Sequence, residues 1–520
     1  MEAVRIVAQR SHVVLDGDQA LLELGARRAA HLDQLVGPYS RVGFHQPGPV
    51  LFYLLAPFVR ILGPGGPGLY LGAIAISGAA LIATVAFLWR HLGPVAALWA
   101  AIAIDVYCLC LRVGTLREPW NPYLVAAPMV LFVVLWAAAI TGSSGAGVWA
   151  AVVGSYEVQT HIATAGFVIT MWAILAVWAV VRARRRHGVD SISRHRWSPA
   201  RITGVVALVL MWLPPVVELW RDRPNNLSLL WDFFTTPQAT PPFAESLRSA
   251  ANALTIVPFG YHDYVLTLNR SGTELAIGST LMVVGLIAAV ALGWRRRQPF
   301  SLALAAAAVL GVVLGVISLS RTAGPAYLYF AAWLAYVPLS LALAIGVALL
   351  TPAHPARRSW AGLARPILAL SVAAAVGVAA ITVRSDLRMG PVKTITTGAG
   401  PWPAGTAPTP EARSRSQRDT AALTTAARSV LRSSDRWVGF SVATSSLWPY
   451  VAGMVLELDE SGIQSTVSPA SWELYFGHER APGRPVNLQF ELAAATDQAP
   501  TGTVLARVDG AVLTYQRTSG

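Results

Sequence analysis

Residues 68–89 read GLYLGAIAISGAALIATVAFLW, 22 consecutive positions without a charged side chain. At 1.5 Å per residue such a run makes a helix of about 33 Å, enough to cross a hydrocarbon layer of about 30 Å. The pattern recurs: apolar windows at 94–111, 122–140, 148–159, 162–181, 202–219, 274–294, 301–319, 326–350 and 366–383 bring the number of candidate spans to ten. Composition agrees, with 54% hydrophobic and only 13% charged residues, against about 25% charged in an ordinary soluble domain. The 520-residue chain therefore reads as an α-helical polytopic membrane protein, and an ordinary cytosolic enzyme is excluded.

The net charge of +13 raises nucleic acid as a partner, but the arginines stand in short segments between apolar runs, with no stacking surface around them. Topology accounts for them. Arg90, the group Arg182, Arg184, Arg185, Arg186, Arg194, Arg196 and Arg201, the triplet Arg295 to Arg297, and Arg357, Arg358 and Arg365 fall in alternate connections, which the positive-inside rule assigns to the cytoplasm. The other connections, 16–67, 112–121, a tight turn near His161, 220–273, 321–325 and the tail from Arg384, then face outward. The chain is expected to be a multi-pass cell-membrane protein with an extracytoplasmic C-terminal domain, with the bilayer and not nucleic acid around it. Parity fails once, because 1–15 is too short and polar to cross although Asp16 belongs outside; a transmembrane helix ahead of this start is expected. Cys108 and Cys110, two apart on a helix, point to different faces and read as packing residues.

The chain divides into an N-terminal segment with the first outer loop (1–67), the transmembrane helical domain (68–383), a linker (384–415) rich in Thr, Gly and Pro, and a small α/β domain (416–520). In the last, 415–433 and 447–458 have helical spacing, while 437–442, 486–491 and 504–516 alternate like strands. This domain carries no nucleophile elbow, Walker loop or metal-ligand spacing.

Polar groups where an apolar chain meets the bilayer surface are costly unless they face protein, water or ligand, so the outward loops are where chemistry is sought. The first reads Leu15-Asp16-Gly17-Asp18-Gln19-Ala20, continues as an amphipathic helix to about Val36, and closes with His45-Gln46-Pro47-Gly48-Pro49 before Phe52-Tyr53. Acidic residues opening this loop, an amphipathic helix, a Pro-rich segment followed by aromatics, then about ten helices and an outer C-terminal domain resemble the GT-C glycosyltransferases. The arrangement is similar to bacterial relatives of the protein O-mannosyltransferases and aminoarabinose transferases, with Asp18-Gln19 in the place of their Asp-Glu pair. Gln19 departs from that pattern and cannot ionise.

The resemblance implies an enzyme that takes a sugar from a polyprenyl-phosphate donor and attaches it, with inversion, to a glycan, lipid or protein acceptor outside the membrane. Such a reaction needs a carboxylate to accept the proton of the attacking hydroxyl and cations to steady the departing phosphate. Asp18 is the expected base, with Asp16 as the alternative or as a partner shaping its acidity; the competing reading makes Asp18 a helix cap. The sequence requires no cofactor. Asp16-Gly17-Asp18 has an Asp-x-Asp form that leaves a divalent metal open.

The second outer loop, Arg117-Glu118-Pro119-Trp120-Asn121-Pro122, offers Glu118 to orient acceptor or base, where the same family carries an acidic residue. Trp120 is placed to stack on a sugar and Arg117 to meet phosphate, with Asn121 beside them; a Pro-fixed turn with an interfacial Trp is the plainer reading. Glu157 and His161, four apart, share a helical face and read either as ligand contacts or as interhelical hydrogen-bonding groups. Arg321, ahead of Tyr327 in the next outward connection, is suited to a phosphate or to snorkelling among headgroups. Asp105 is an isolated carboxyl inside a span. If the chain is such an enzyme, Asp18, Glu118, His45 and Arg321 are expected to converge on one outward cavity, with His45 and Gln46 touching substrate. Two other readings stand beside it: a transporter or flippase, which would show an internal repeat that is not clear here, and a noncatalytic envelope assembly protein of the same fold, for which Gln19 speaks.

Overall fold

The computed structural model describes residues 14–63, 65–186, 198–256, 270–351, 410–495 and 502–517. The expected span 366–383, the linker as far as 409 and the segment before Val14 lie outside them, whereas 410–415, expected in the linker, are helical. In chain order the main helices are α1 (Gly17–Ala30), α2 (Val50–Leu62), α3 (Pro67–Leu92), α4 (Pro94–Arg117), α5 (Ala126–Ile140), α6 (Ser144–Thr160), α7 (Ala165–Arg186), α8 (Pro199–Arg221), α9 (Asn226–Thr235), α10 (Phe243–Leu254), α11 (Gly272–Arg295) and α12 (Pro299–Leu319). A 3-10 segment (Leu328–Ala335) then leads into α13 (Tyr336–Leu350).

Eight segments among the described residues are long and apolar enough to cross a membrane, and the protein is a multi-pass membrane protein. Their ends follow the sequence. Pro67, Pro94, Pro199 and Pro299 each begin a helix, where the missing N–H costs nothing. Ser271 and Glu274 form a reciprocal capping box at the start of α11. The expected span 148–159 is the 17-residue α6, about 25 Å by the helical rise, and is not one of the eight.

The helices are joined by polar bonds that an apolar solvent cannot replace. Ser301 donates to the Ala344 carbonyl at 2.7 Å, Tyr336 to that of Ala307 at 2.8 Å and the Trp99 indole to that of Ala342 at 2.8 Å. Cys108 and Cys110 are free thiols.

After α14 (Pro410–Ser429) the chain forms a five-stranded sheet, with strand order β2-β1-β3-β5-β4. Its strands are β1 (Trp437–Val442), β2 (Gln464–Ser468), β3 (Leu488–Ala494), β4 (Thr503–Val508) and β5 (Ala511–Arg517). β1 runs parallel to β2 and β3, while β3, β5 and β4 are antiparallel. α15 (Trp448–Glu460) connects β1 to β2. The expected strand 504–516 is a hairpin, broken where Asp509-Gly510 turns the chain, with Gly510 at φ 83°.

Two apolar cores result. One lies within the helical bundle. The other joins α1 and α2 to the sheet and α15, so that Leu22, Leu51 and Phe52 share a core with Tyr450, Met454 and Phe490. α1 consequently differs from the expected surface helix reaching Val36: it ends at Ala30, and residues from every side of it are buried. The C-terminal domain covers the face that the sequence pattern leaves to solvent.

Candidate functional site

Asp16 occupies the N-cap of α1 in extended backbone, and its side chain makes no capping bond. It accepts instead from the Ser416 hydroxyl, 400 residues away on α14. Two residues on, Asp18 is 8% exposed and accepts from the Tyr39 hydroxyl and the Trp120 indole. Its carboxylate is therefore held by groups around the cavity and not by the helix start. Burial raises its pKa to about 7, against the two hydrogen bonds, which favour the ionised form. Tyr39, pushed well above the usual phenol range by burial and by the Asp18 charge, stays a hydrogen-bond donor.

Asp18 opens into a cavity of about 1680 Å³ that His45, Gln46, Trp120, Asn121, His161, Arg321 and Tyr327 also line. His45 Nδ1 lies 3.2 Å from the Gly37 carbonyl, and since a carbonyl only accepts, that nitrogen carries the proton and leaves Nε2 as an acceptor. Burial drives its pKa down to about 4, so the imidazole is neutral near pH 7. Gln46 accepts from the Ile162 N–H at 2.7 Å, and Asn121 donates to the Thr160 carbonyl at 3.1 Å. Arg321 is exposed on the wall.

Other expected residues lie behind the wall. Glu118, 1% exposed, accepts from Gln19 Nε2 at 2.9 Å, and Gln19 Oε1 accepts from Tyr70 at 3.0 Å. Asp16, Arg117, Glu118 and Glu157 do not line the cavity, so the expected convergence holds for Asp18, His45 and Arg321 while Glu118 stands one layer back. Glu157 is fully buried, with no hydrogen-bond partner for either oxygen among the described residues. Among the described residues no three His, Cys, Asp or Glu side chains gather as metal ligands; Asp16 and Asp18 turn to different partners.

Sequence reasoning missed Tyr39, Arg41 and Tyr329. Arg41 lies 4.7 Å from the Tyr327 ring centroid, donates to the Ala323 carbonyl at 3.3 Å and lines the same cavity. It joins the wall that carries Arg321, and only its place in the same loop as His45 hinted at this. The C-terminal domain also contributes a wall, including Trp448 and Tyr475, which no local motif announces.

No family model and no curated protein matches this sequence. Solved structures do. The chain is similar to ArnT from Cupriavidus metallidurans bound to undecaprenyl phosphate, with a TM-score of 0.54 and 15% identity over 99% of this chain and 96% of that one. The apo form of the same protein gives a TM-score of 0.51 and 15% identity over 98% and 96%. At that identity the likeness shows the fold alone: the chain shares the fold of ArnT over nearly its whole length.

Proposed function

We propose that this protein is a membrane glycosyltransferase that moves a sugar from a polyprenyl-phosphate donor to an acceptor hydroxyl on the extracytoplasmic side, with inversion. The observation that carries the reading is the cavity itself: a buried carboxylate, Asp18, shares it with the guanidinium groups of Arg41 and Arg321. The bound undecaprenyl phosphate of the ArnT structure supports a lipid-phosphate donor. So does the apolar end of the cavity, where Ile169 and Ile317, 55% and 50% exposed, join Leu314 between α7 and α12. A prenyl chain leaving there would enter the bilayer while its phosphate remained beside the arginines.

In this reaction Asp18 accepts the proton as the acceptor oxygen attacks the anomeric carbon. The bond from that carbon to the phosphate oxygen breaks, and the electron pair leaves with the phosphate. Arg41 and Arg321 offset the growing charge with planar guanidinium donors. A pKa near the operating pH suits Asp18 to take a proton and release it again. Tyr39 and Trp120 hold the carboxylate in place, and neutral His45 offers Nε2 to a hydroxyl. Assigning the arginine-rich connections to the cytoplasm by the positive-inside rule supports a cavity and a C-terminal domain outside it.

The test is transfer of label from radiolabelled polyprenyl-phosphate sugars in membranes carrying wild type or Asp18→Asn. Loss of transfer at equal protein level is the expected result; full activity of the variant would remove Asp18 as the base.

A further inference from the structure

The cavity has two chemically different walls. Arg41 comes from the loop after α1, and Tyr327 and Arg321 from the helical domain. A second wall comes from the C-terminal domain, at the carboxyl ends of the neighbouring parallel strands β1 and β2, where α/β sheets commonly present ligand-binding residues. Trp448 begins the helix after β1, and Tyr475 sits in the short helix Glu473–Phe476 after β2.

These two rings face the position of Asp18. Tyr475 lies 4.3 Å from the ring of Tyr39, the residue bonded to Asp18, and Trp448 lies 5.2 Å from Tyr475 and 5.8 Å from Tyr39. Trp448, Tyr475 and Tyr39 are each half-buried and line the cavity. Trp472, 9% exposed, braces Tyr475 from behind at 5.0 Å. The rings are thus fixed by packing while part of their surface faces the cavity.

Most of the charged groups beside them have partners, and Arg41, whose charge also reaches Tyr475, is the cation already given to the donor phosphate. Arg28 pairs with Glu479 at 2.9 Å, Arg221 stands 3.8 Å from Asp222, and Arg223 donates to the Leu219 and Asp222 carbonyls at 2.6 and 2.7 Å. His478 is bonded to Glu473. An anionic acceptor at this wall would meet carboxylates and arginines that already have partners. A neutral sugar ring finds what it needs: aromatic surface for its C–H face, and carboxylate oxygens to accept from its hydroxyls.

We infer that Trp448 and Tyr475 of the C-terminal domain form the acceptor subsite and that the acceptor is a neutral glycan, not an anionic lipid or a peptide. The inference rests on the glycosyltransferase reading. It assigns the arginine wall to the donor phosphate and the aromatic wall to the ring that bears the attacking hydroxyl.

The experiment uses the full-length protein in lipid nanodiscs with polyprenyl-phosphate mannose and polyprenyl-phosphate arabinose as donors. Three acceptor classes are supplied: neutral mannose and arabinose tetrasaccharides, the same tetrasaccharides carrying one phosphate, and a Ser/Thr peptide. Saturation-transfer NMR reads which acceptor protons touch protein. Wild type is expected to glycosylate a neutral tetrasaccharide and to saturate its ring C–H protons. Trp448→Ala and Tyr475→Leu should raise the acceptor KM about tenfold or more, a loss of about 1.4 kcal/mol or more, with kcat changed much less. Tyr475→Phe, which keeps the ring, should stay near wild type. Tyr475→Leu retains apolar bulk against Trp472, so a folding defect in the alanine variant does not decide the matter. Preference for the phosphorylated or peptide acceptor, no use of any neutral tetrasaccharide, or an unchanged KM in Tyr475→Leu would overturn the inference. Binding of undecaprenyl phosphate to wild type is measured alongside: its absence would overturn the underlying reading, whereas its presence without neutral acceptor use overturns only the acceptor assignment.

Discussion

Gln19 Nε2 donates to Glu118 Oε1 at 2.9 Å, and both side chains are 1% exposed. The amide at position 19 does what a carboxylate could not: it gives a hydrogen bond to Glu118 while its own oxygen accepts from Tyr70. The departure of Gln19 from the Asp-Glu pair that the sequence resemblance leads one to expect thus has a local structural reason. Replacing Gln19 by Glu sets two buried carboxylates against each other and removes the donor. The expected cost is about 1–3 kcal/mol, read as a lower midpoint in thermal unfolding of the purified protein. The sign with pH follows: as pH falls one carboxyl protonates and can donate to the other, so the loss should shrink in acid and be largest above neutrality. A midpoint difference that grows in acid would contradict this account.

Asp18, with a pKa raised to about 7 by burial, makes a specific pH profile. Only the ionised form accepts a proton, so kcat/KM for transfer should climb about tenfold per pH unit in acid and level off above about pH 7. Tyr39→Phe removes a hydrogen bond that favours the ionised form. The rise should therefore move to higher pH while the plateau rate survives. Steady-state rates between pH 5 and 9 check both points, and a shift toward acid would count against the assigned role of Tyr39.

Arg41 and Arg321 share the cavity with Asp18, and the proposal gives them the donor phosphate. Alanine at either position should weaken undecaprenyl-phosphate binding about tenfold or more, the worth of a charge-assisted bond of about 1.5–3 kcal/mol. Arg41→Lys should recover part of it, since a point charge keeps the attraction but not the planar contact with Tyr327. Equilibrium binding in nanodiscs is the measurement, with unchanged affinity in both alanine variants the adverse result.

Gly453 on α15 faces the start of α1 so closely that a Cβ there would lie 2.5 Å from the Leu15 carbonyl oxygen and 2.5 Å from Thr420 Cγ2. Gly453→Ala should push the Asp16 to Asp18 segment away from the C-terminal domain and destabilise the protein by about 1–3 kcal/mol, as overpacking does. Transfer activity should fall at temperatures where the variant remains folded. Wild-type rates together with a wild-type unfolding midpoint would show that this contact does not position Asp18.

The transmembrane helices were legible because a run such as 68–89 states its environment residue by residue: a span must be apolar along its whole length, and its prolines and arginines mark its ends. The hairpin at 503–517 was half legible, since alternation is visible but the Asp509-Gly510 turn within it was read through. For α1 the pattern misled, because its exposed face is covered by residues more than 400 positions away.

Sequence alone thus determined that the chain lives in a bilayer, which connections are basic, and which of the other connections hold Asp18, His45 and Arg321. Tertiary structure alone decided that Asp16 turns to Ser416, that Glu118 stands behind Gln19, and that Tyr39 links Asp18 to Tyr475. The reason is physical: hydropathy and periodicity report the medium around each residue, whereas the partner of a buried carboxylate is set by how separate elements pack, which no local pattern encodes.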